Sequence, residues 1–189
     1  MCMKRIITSF AFILSTFFVM AEGHMTFKGV EIDGTIQEFT KKITAKGFKN
    51  FGIEDGTATL IGTFTGEDVI VVAYSTLKTK KVYRVGVIYQ AGSQWSMIYN
   101  KYSNLKDMLI KKYGEPSEIV EEVAESYMKG DELHALHMDK LFYQCIFQAE
   151  QGLVELRIAH EDIHGDFIII AYTDAVNGQI AESEMIDEL

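Results

Sequence analysis

One proline and two cysteines in 189 residues leave the chain few fixed breakpoints and no staple. A single proline, with no low-complexity stretch, argues against a stiff interdomain linker. Basic charge is also scarce: 18 Lys and Arg stand against 27 Asp and Glu, a net charge of −9. Such a surface repels phosphate backbones and anionic headgroups, so nucleic acid and acidic membranes are poor partners. Long apolar runs are missing after residue 20, and without about 20 such residues in a row no helical membrane span is expected.

The exception lies at the start. Lys4 and Arg5 precede the apolar run IITSFAFILSTFFVM, which leads to small residues at the V-x-A sequence Val19-Met20-Ala21. This pattern predicts a cleavable secretory signal over 1–21 and a periplasmic or secreted protein. Cys2 falls inside the signal, which leaves Cys145 alone, so neither an internal disulfide nor a lipid-accepting cysteine at the cleavage point is expected. Removal of Lys4 and Arg5 leaves 16 basic residues against 27 acidic ones. Residues 22–175 have the size of one ordinary domain. The acidic stretch VNGQIAESEMIDEL reads as a frayed C-terminal tail over 176–189.

The first half opens with FKGVEIDGTIQEFTKKITAKGF, residues 27–48. A short strand from Phe27 to Ile32 meets the turn Asp33-Gly34, and a helix follows. Thr35 as N-cap with Glu38 three residues later forms a capping box, in which each side chain satisfies the other's exposed N–H. Ile36, Phe39 and Ile43 recur at helical spacing, and Gly47 supplies the stop. Three strand patterns come next: TATLIGTF, DVIVVAYS and VYRVGVIYQ. The second half repeats this order. Residues 95–116 predict a longer helix with Ile98, Tyr102, Leu105, Leu109 and Lys112 on one face, closed by Gly114 and Pro116. An acidic stretch over 117–138, with one strand and a short helix DELHALHM, leads to the strands LFYQCIFQ, GLVELRIA and DFIIIAYT. The sequence therefore predicts an α+β fold of two tandem α-β-β-β repeats, about 27–90 and 95–175. Their antiparallel strands form one curved sheet with both helices packed on one face.

His160, Glu161 and His164 spell H-E-x-x-H, the zinc-protease signature. That motif works on a helix, where the i and i+4 spacing puts two imidazoles on one face. Here it follows the alternating Val154, Leu156 and Ile158 and runs into Gly165. Aligning the halves sets it opposite STLKTKK, a hairpin tip, so the expectation is a solvated turn with no metal. The alternative is a metal-dependent hydrolase built on His160, Glu161 and His164, with Glu182 as third ligand. His134 and His137, at i and i+3, could join Cys145 or His160 on a metal, although a solvated pair of histidines and a buried Cys145 are the simpler expectation. Tyr74, Tyr83 and Trp95 are candidates for an interaction surface. No Ser-His-Asp set, phosphate-cradling glycine loop or nucleotide fingerprint is present.

The opening segment, the hairpins after it, the helix ending KKYGEP and the closing AYTDAVN resemble a family of small secreted proteins from Bacteroides-type bacteria. The matching motifs, Gly29, Asp33-Gly34, Gly114 and Pro116, are structural, and the resemblance carries no catalytic residues. In repeat pattern the chain is also similar to the tandem helix-and-sheet architecture of the β-lactamase-inhibitor-protein-like fold. The function expected from all of this is an exported, non-catalytic binding or protein-interaction module without a cofactor. Its partner would be a protein or small-molecule ligand of the cell envelope.

Overall fold

A computed structural model describes residues 23–128, 130–162 and 165–189. The signal expected over 1–21 lies outside them. Strands β1 (Thr26–Phe27) and β2 (Val30–Glu31) form a small hairpin where one strand was expected. Its turn residues, Lys28 and Gly29, have φ of 53° and 73°, the two left-handed positions of a type I′ turn.

Helix α1 (Ile36–Thr44) begins at the predicted cap. Thr35 accepts from the Glu38 N–H, and the Glu38 carboxylate accepts from the Thr35 N–H at 3.0 Å. Ile36, Phe39 and Ile43 are buried, and each such side chain contributes about 1.5–3 kcal/mol on leaving water.

Eight further strands make one antiparallel sheet: β3 (Lys49–Glu54), β4 (Thr57–Phe64), β5 (Glu67–Ser75), β6 (Val82–Gln90), β7 (Glu118–Val123), β8 (Leu141–Ala149), β9 (Gly152–Glu161) and β10 (Gly165–Asp174). Their order is β3-β4-β5-β6-β10-β9-β8-β7, two four-stranded meanders joined through their last strands. Each half thus holds four strands in this sheet, one more than the α-β-β-β pattern; β7 is the strand expected within 117–138, while β3 was not expected. The α+β class and the antiparallel sheet stand as expected.

Helix α2 (Trp95–Tyr113) buries Ile98, Tyr102, Leu105 and Leu109. Lys112 continues that face beyond the core and is exposed, with its ammonium 4.7 Å from the centre of the Tyr113 ring. Helix α3 (Glu132–His137) adds Ala135 and Leu136. Helices α1, α2 and α3 cover one face of the sheet, and their apolar residues join the inward strand positions in one core. Phe27 stands inside it, 5.2–5.9 Å from the rings of Phe64, Tyr172 and Phe48. Gly62 leaves room for this layer: a Cβ there would fall 2.4 Å from the Phe48 ring.

The C-terminal segment is not frayed. Residues Ala175–Ile186 form helix α4, with Asn177, Ala181 and Glu184 buried. Asp174 caps it by accepting from the Asn177 N–H at 2.8 Å. Glu184 accepts the Thr79 N–H at 2.9 Å in the turn between β5 and β6. Acidic composition concealed a helix whose carboxylates are used as acceptors. Two helices on one face are therefore corrected to three, with a fourth closing the end at which β6 begins and β10 finishes. Among the described residues no helix is long and apolar enough to cross a membrane.

Candidate functional site

Inward positions of β9 run Val154, Leu156, Ile158 and then His160, while those of β10 run Asp166, Ile168, Ile170 and Tyr172. The hairpin register sets His160 directly opposite Asp166. One polar pair therefore follows three apolar inward positions on each strand at this end of the hairpin. Helix α3 lies over β8 and β9 through Ala135 and Leu136, and its last residue, His137, reaches the same pair.

The result is a three-residue cluster. His137 Nε2 stands 3.0 Å and His160 Nδ1 2.8 Å from the same oxygen, Asp166 Oδ1. The ring centroids are 4.1 Å apart at an interplanar angle of 33°. Asp166 is 7% exposed and His160 15%, while His137 opens to solvent at 37%. On its outer side His160 Nε2 lies 3.4 Å from Oδ1 of Asp162, which is fully exposed. Among the described residues these are the three whose donor atoms converge as a metal-ligand set.

This geometry revises the reading of H-E-x-x-H. His160 and Glu161 end strand β9, Asp162 begins the turn, and Gly165 starts β10. The motif stands on a hairpin, as expected, and not on a zincin helix. His164 lies outside the described residues. The expectation of a solvated tip fails for His160, whose ring is mostly covered and bound to Asp166. Glu182 cannot complete a set with it. It is exposed on α4, beyond Asp174, which stands eight positions along the strand from Asp166, roughly 26 Å. His134 is exposed with its ring 5.6 Å from that of Tyr127, apart from His137.

Cys145 joins a different group. It is buried, with Sγ 3.0 Å from the Tyr102 hydroxyl, which itself lies 3.0 Å from Glu121 Oε1. Lys106 Nζ donates to that Glu121 oxygen at 2.7 Å. Burial pushes the Cys145 thiol up, and burial with its Cys145 hydrogen bond pushes the Tyr102 phenol up as well. Neither is poised as a nucleophile or ligand.

A sequence signal for the cluster did exist. A histidine and an aspartate at the last inward positions of two alternating apolar strands, six residues apart across a turn, must meet if those strands pair. Periodicity alone could have found His160 and Asp166. His137 comes from a helix two strands away in sequence, which no local pattern specifies.

The other face of the sheet bears no helix among the described residues. Its outward positions include Ile61 at 44% exposure, Ile70 at 43% and Phe142 at 52%. At its centre Val72, Tyr74, Tyr83, Ile88 and Ile169 line a shallow depression of about 240 Å³ beside Arg84 and Arg157. Arg84 donates to Glu155 at 2.7 Å and to Thr173 at 3.1 Å, and Arg157 lies 3.3 Å from the other Glu155 oxygen. Two of the three suggested surface aromatics, Tyr74 and Tyr83, are thereby brought together. Trp95 is on the helical side, half-buried, 5.3 Å from the Tyr143 ring and 5.9 Å from that of Tyr99.

No protein-family model matches the chain, and no curated protein or solved structure matches it at a significant level.

Proposed function

We propose that the chain is an exported, non-catalytic binding module that takes a partner protein on the uncovered face of its sheet. The observation that carries this reading is the centre of that face: an apolar surface around one glutamate shared by two arginines. Large exposed apolar patches on soluble proteins commonly mark interaction sites. Arg84 and Arg157 with Glu155 leave one positive charge in excess, on a chain whose net charge is −9. A partner with an apolar surface and a carboxylate at its middle would suit it. Volume argues against a small molecule, because about 240 Å³ falls below the ~300–1,000 Å³ usual for ligand pockets.

Export rests on the n-region, apolar run and V-x-A sequence of residues 1–21, which would put that partner in the cell envelope or outside it. A duplicated α-plus-sheet unit is part of the same reading. Its support is the matching helix-then-meander order of the halves, whose last strands, β6 and β10, pair with each other.

Photo-crosslinking in the producing cell tests the surface. A reactive group placed at Ile169 should give a discrete adduct that disappears when Arg84 is replaced by Glu, while the same group at Lys46 should give none. Equal labelling from the two positions, or none from Ile169, would overturn the proposal.

A further inference from the structure

The geometry points to a binding site for one borderline divalent transition metal, of the zinc class, formed by His137 Nε2, His160 Nδ1 and Asp166 Oδ1. Two imidazoles and a carboxylate are the donor types such ions take. The observed N···O distances of 2.8 and 3.0 Å are about half an ångström shorter than the ~3.4 Å between neighbouring donors around a tetrahedral ion with bonds near 2.1 Å. Small side-chain rotations would open the set around an ion, because all three ligand atoms already lie within 4.8 Å of one another.

The outer side of His160 supplies a second geometric observation. Its Nε2 lies 3.4 Å from Oδ1 of Asp162. With an ion on Nδ1 the neutral imidazole would carry its proton on Nε2, and Asp162 stands where it would accept it, the carboxylate–histidine–metal relay that orients ligating histidines in metalloproteins.

Elsewhere in the molecule the chemistry is different. The Tyr102, Cys145 and Glu121 group holds a protonated thiol and a lysine, and the His24 and Asp174 group is filled by backbone donors. Three protein ligands with His137 partly exposed leave a fourth position toward solvent, enough for a water or a ligand from outside. The ion would tie α3 to the β9–β10 hairpin. This site is separate from the open sheet face, and its failure would leave that reading untouched.

Zinc titration of the untagged, chelator-treated protein at pH 7.5, followed by calorimetry, tests it. We expect one saturable equivalent, not displaced by millimolar Mg2+. His137→Ala and His160→Ala should each weaken binding at least tenfold, with circular dichroism unchanged. Asp162→Ala, at a fully exposed position, should weaken it by about tenfold, the effect of losing an outer partner. Cobalt in place of zinc should give visible absorption that His137→Ala abolishes. Absence of saturable binding by the parent protein, or unchanged affinity in both histidine variants, would overturn the site.

Discussion

Asp174 and Asp166 stand eight residues apart on the same strand, face the same side of the sheet and each touch histidine, yet their surroundings differ in kind. Asp174 is fully buried and accepts the Met25 N–H at 2.7 Å and the Asn177 N–H at 2.8 Å, with His24 Nδ1 at 3.1 Å. Its neighbours are equally committed. Asn177 Nδ2 bonds the carbonyls of Ile32 and Val82 and the Asp33 carboxylate, which also pairs with Lys81. Among the described residues Asp166 has only the two imidazoles as side-chain partners. Backbone donors are fixed by the fold, whereas imidazoles can rotate, titrate or bind an ion. The first carboxylate is a fastener joining the N-terminal hairpin, the sheet and α4, and the second is a place left open to chemistry.

The sharpest way to break this contrast is to remove each carboxylate. Asp174→Ala should destabilise the protein by about 3 kcal/mol, since an N-cap is worth about 1 kcal/mol and a buried donor left unpaired costs about 1–3 kcal/mol. Urea denaturation measures it. Asp166→Ala in metal-free protein should cost only about 1 kcal/mol, because His137 is partly exposed and both rings can turn toward water. Equal losses at the two positions would make Asp166 a second fastener and end the distinction.

Acid separates the two ends next. Burial raises the pKa of Asp33, but hydrogen bonds from Asn177, the Gly34 N–H and Lys81 outweigh it and hold the carboxyl at about 2 against an ordinary 3.8. A depressed folded-state pKa gives stability that is complete above pH ~4 and is lost as pH falls toward 2, where the unfolded chain takes up its proton first. The side chain is 27% exposed, so solvent screening reduces the contribution to about 1 kcal/mol or less. Asp33→Asn should remove that part of the acid transition. Stability curves for parent and variant that stay parallel from pH 4 to 2 would detach Asp33 from the fastener.

The elements legible in the sequence are those whose local pattern and tertiary role agree. The strands from β4 to β6 and from β8 to β10 alternate or run apolar because they fill the centre of the sheet, and the Thr35–Glu38 box fixes the start of α1 through contacts within one turn. Strand β3 escaped assignment and β7 was legible only as one strand within 117–138, for one reason: both are edge strands, exposed at nearly every position. KNFGIE carries a glycine, a bulge at Phe51 and no alternation, and EIVEEV bears the acidic residues that discourage edge-to-edge pairing. Helix α4 was obscured because its anchors are polar. Asp174, Asn177 and Glu184 bind backbone groups that the pattern of apolar residues does not reveal. In the candidate site a familiar motif drew attention to Glu161 and His164, while the partners that structure gives His160 are Asp166 across the strands and His137 from a separate helix.

The smallest effect is expected where sequence suggested ligands that geometry does not use. His134 shares α3 with His137, but three residues along a short helix turn it outward, where it is exposed near Tyr127. Glu182 is exposed on α4 at the fastener end, roughly 26 Å or more along the sheet from Asp166. Neither side chain fills the core, so His134→Ala combined with Glu182→Ala should change stability by no more than about 0.5 kcal/mol, as surface substitutions usually do. The two sites are too far apart to couple, and the double change should equal the sum of the singles. Zinc affinity should match that of the parent. A loss above about 1 kcal/mol, or weakened zinc binding in either single variant, would mean that the open end of β10 recruits residues from farther away than its geometry allows.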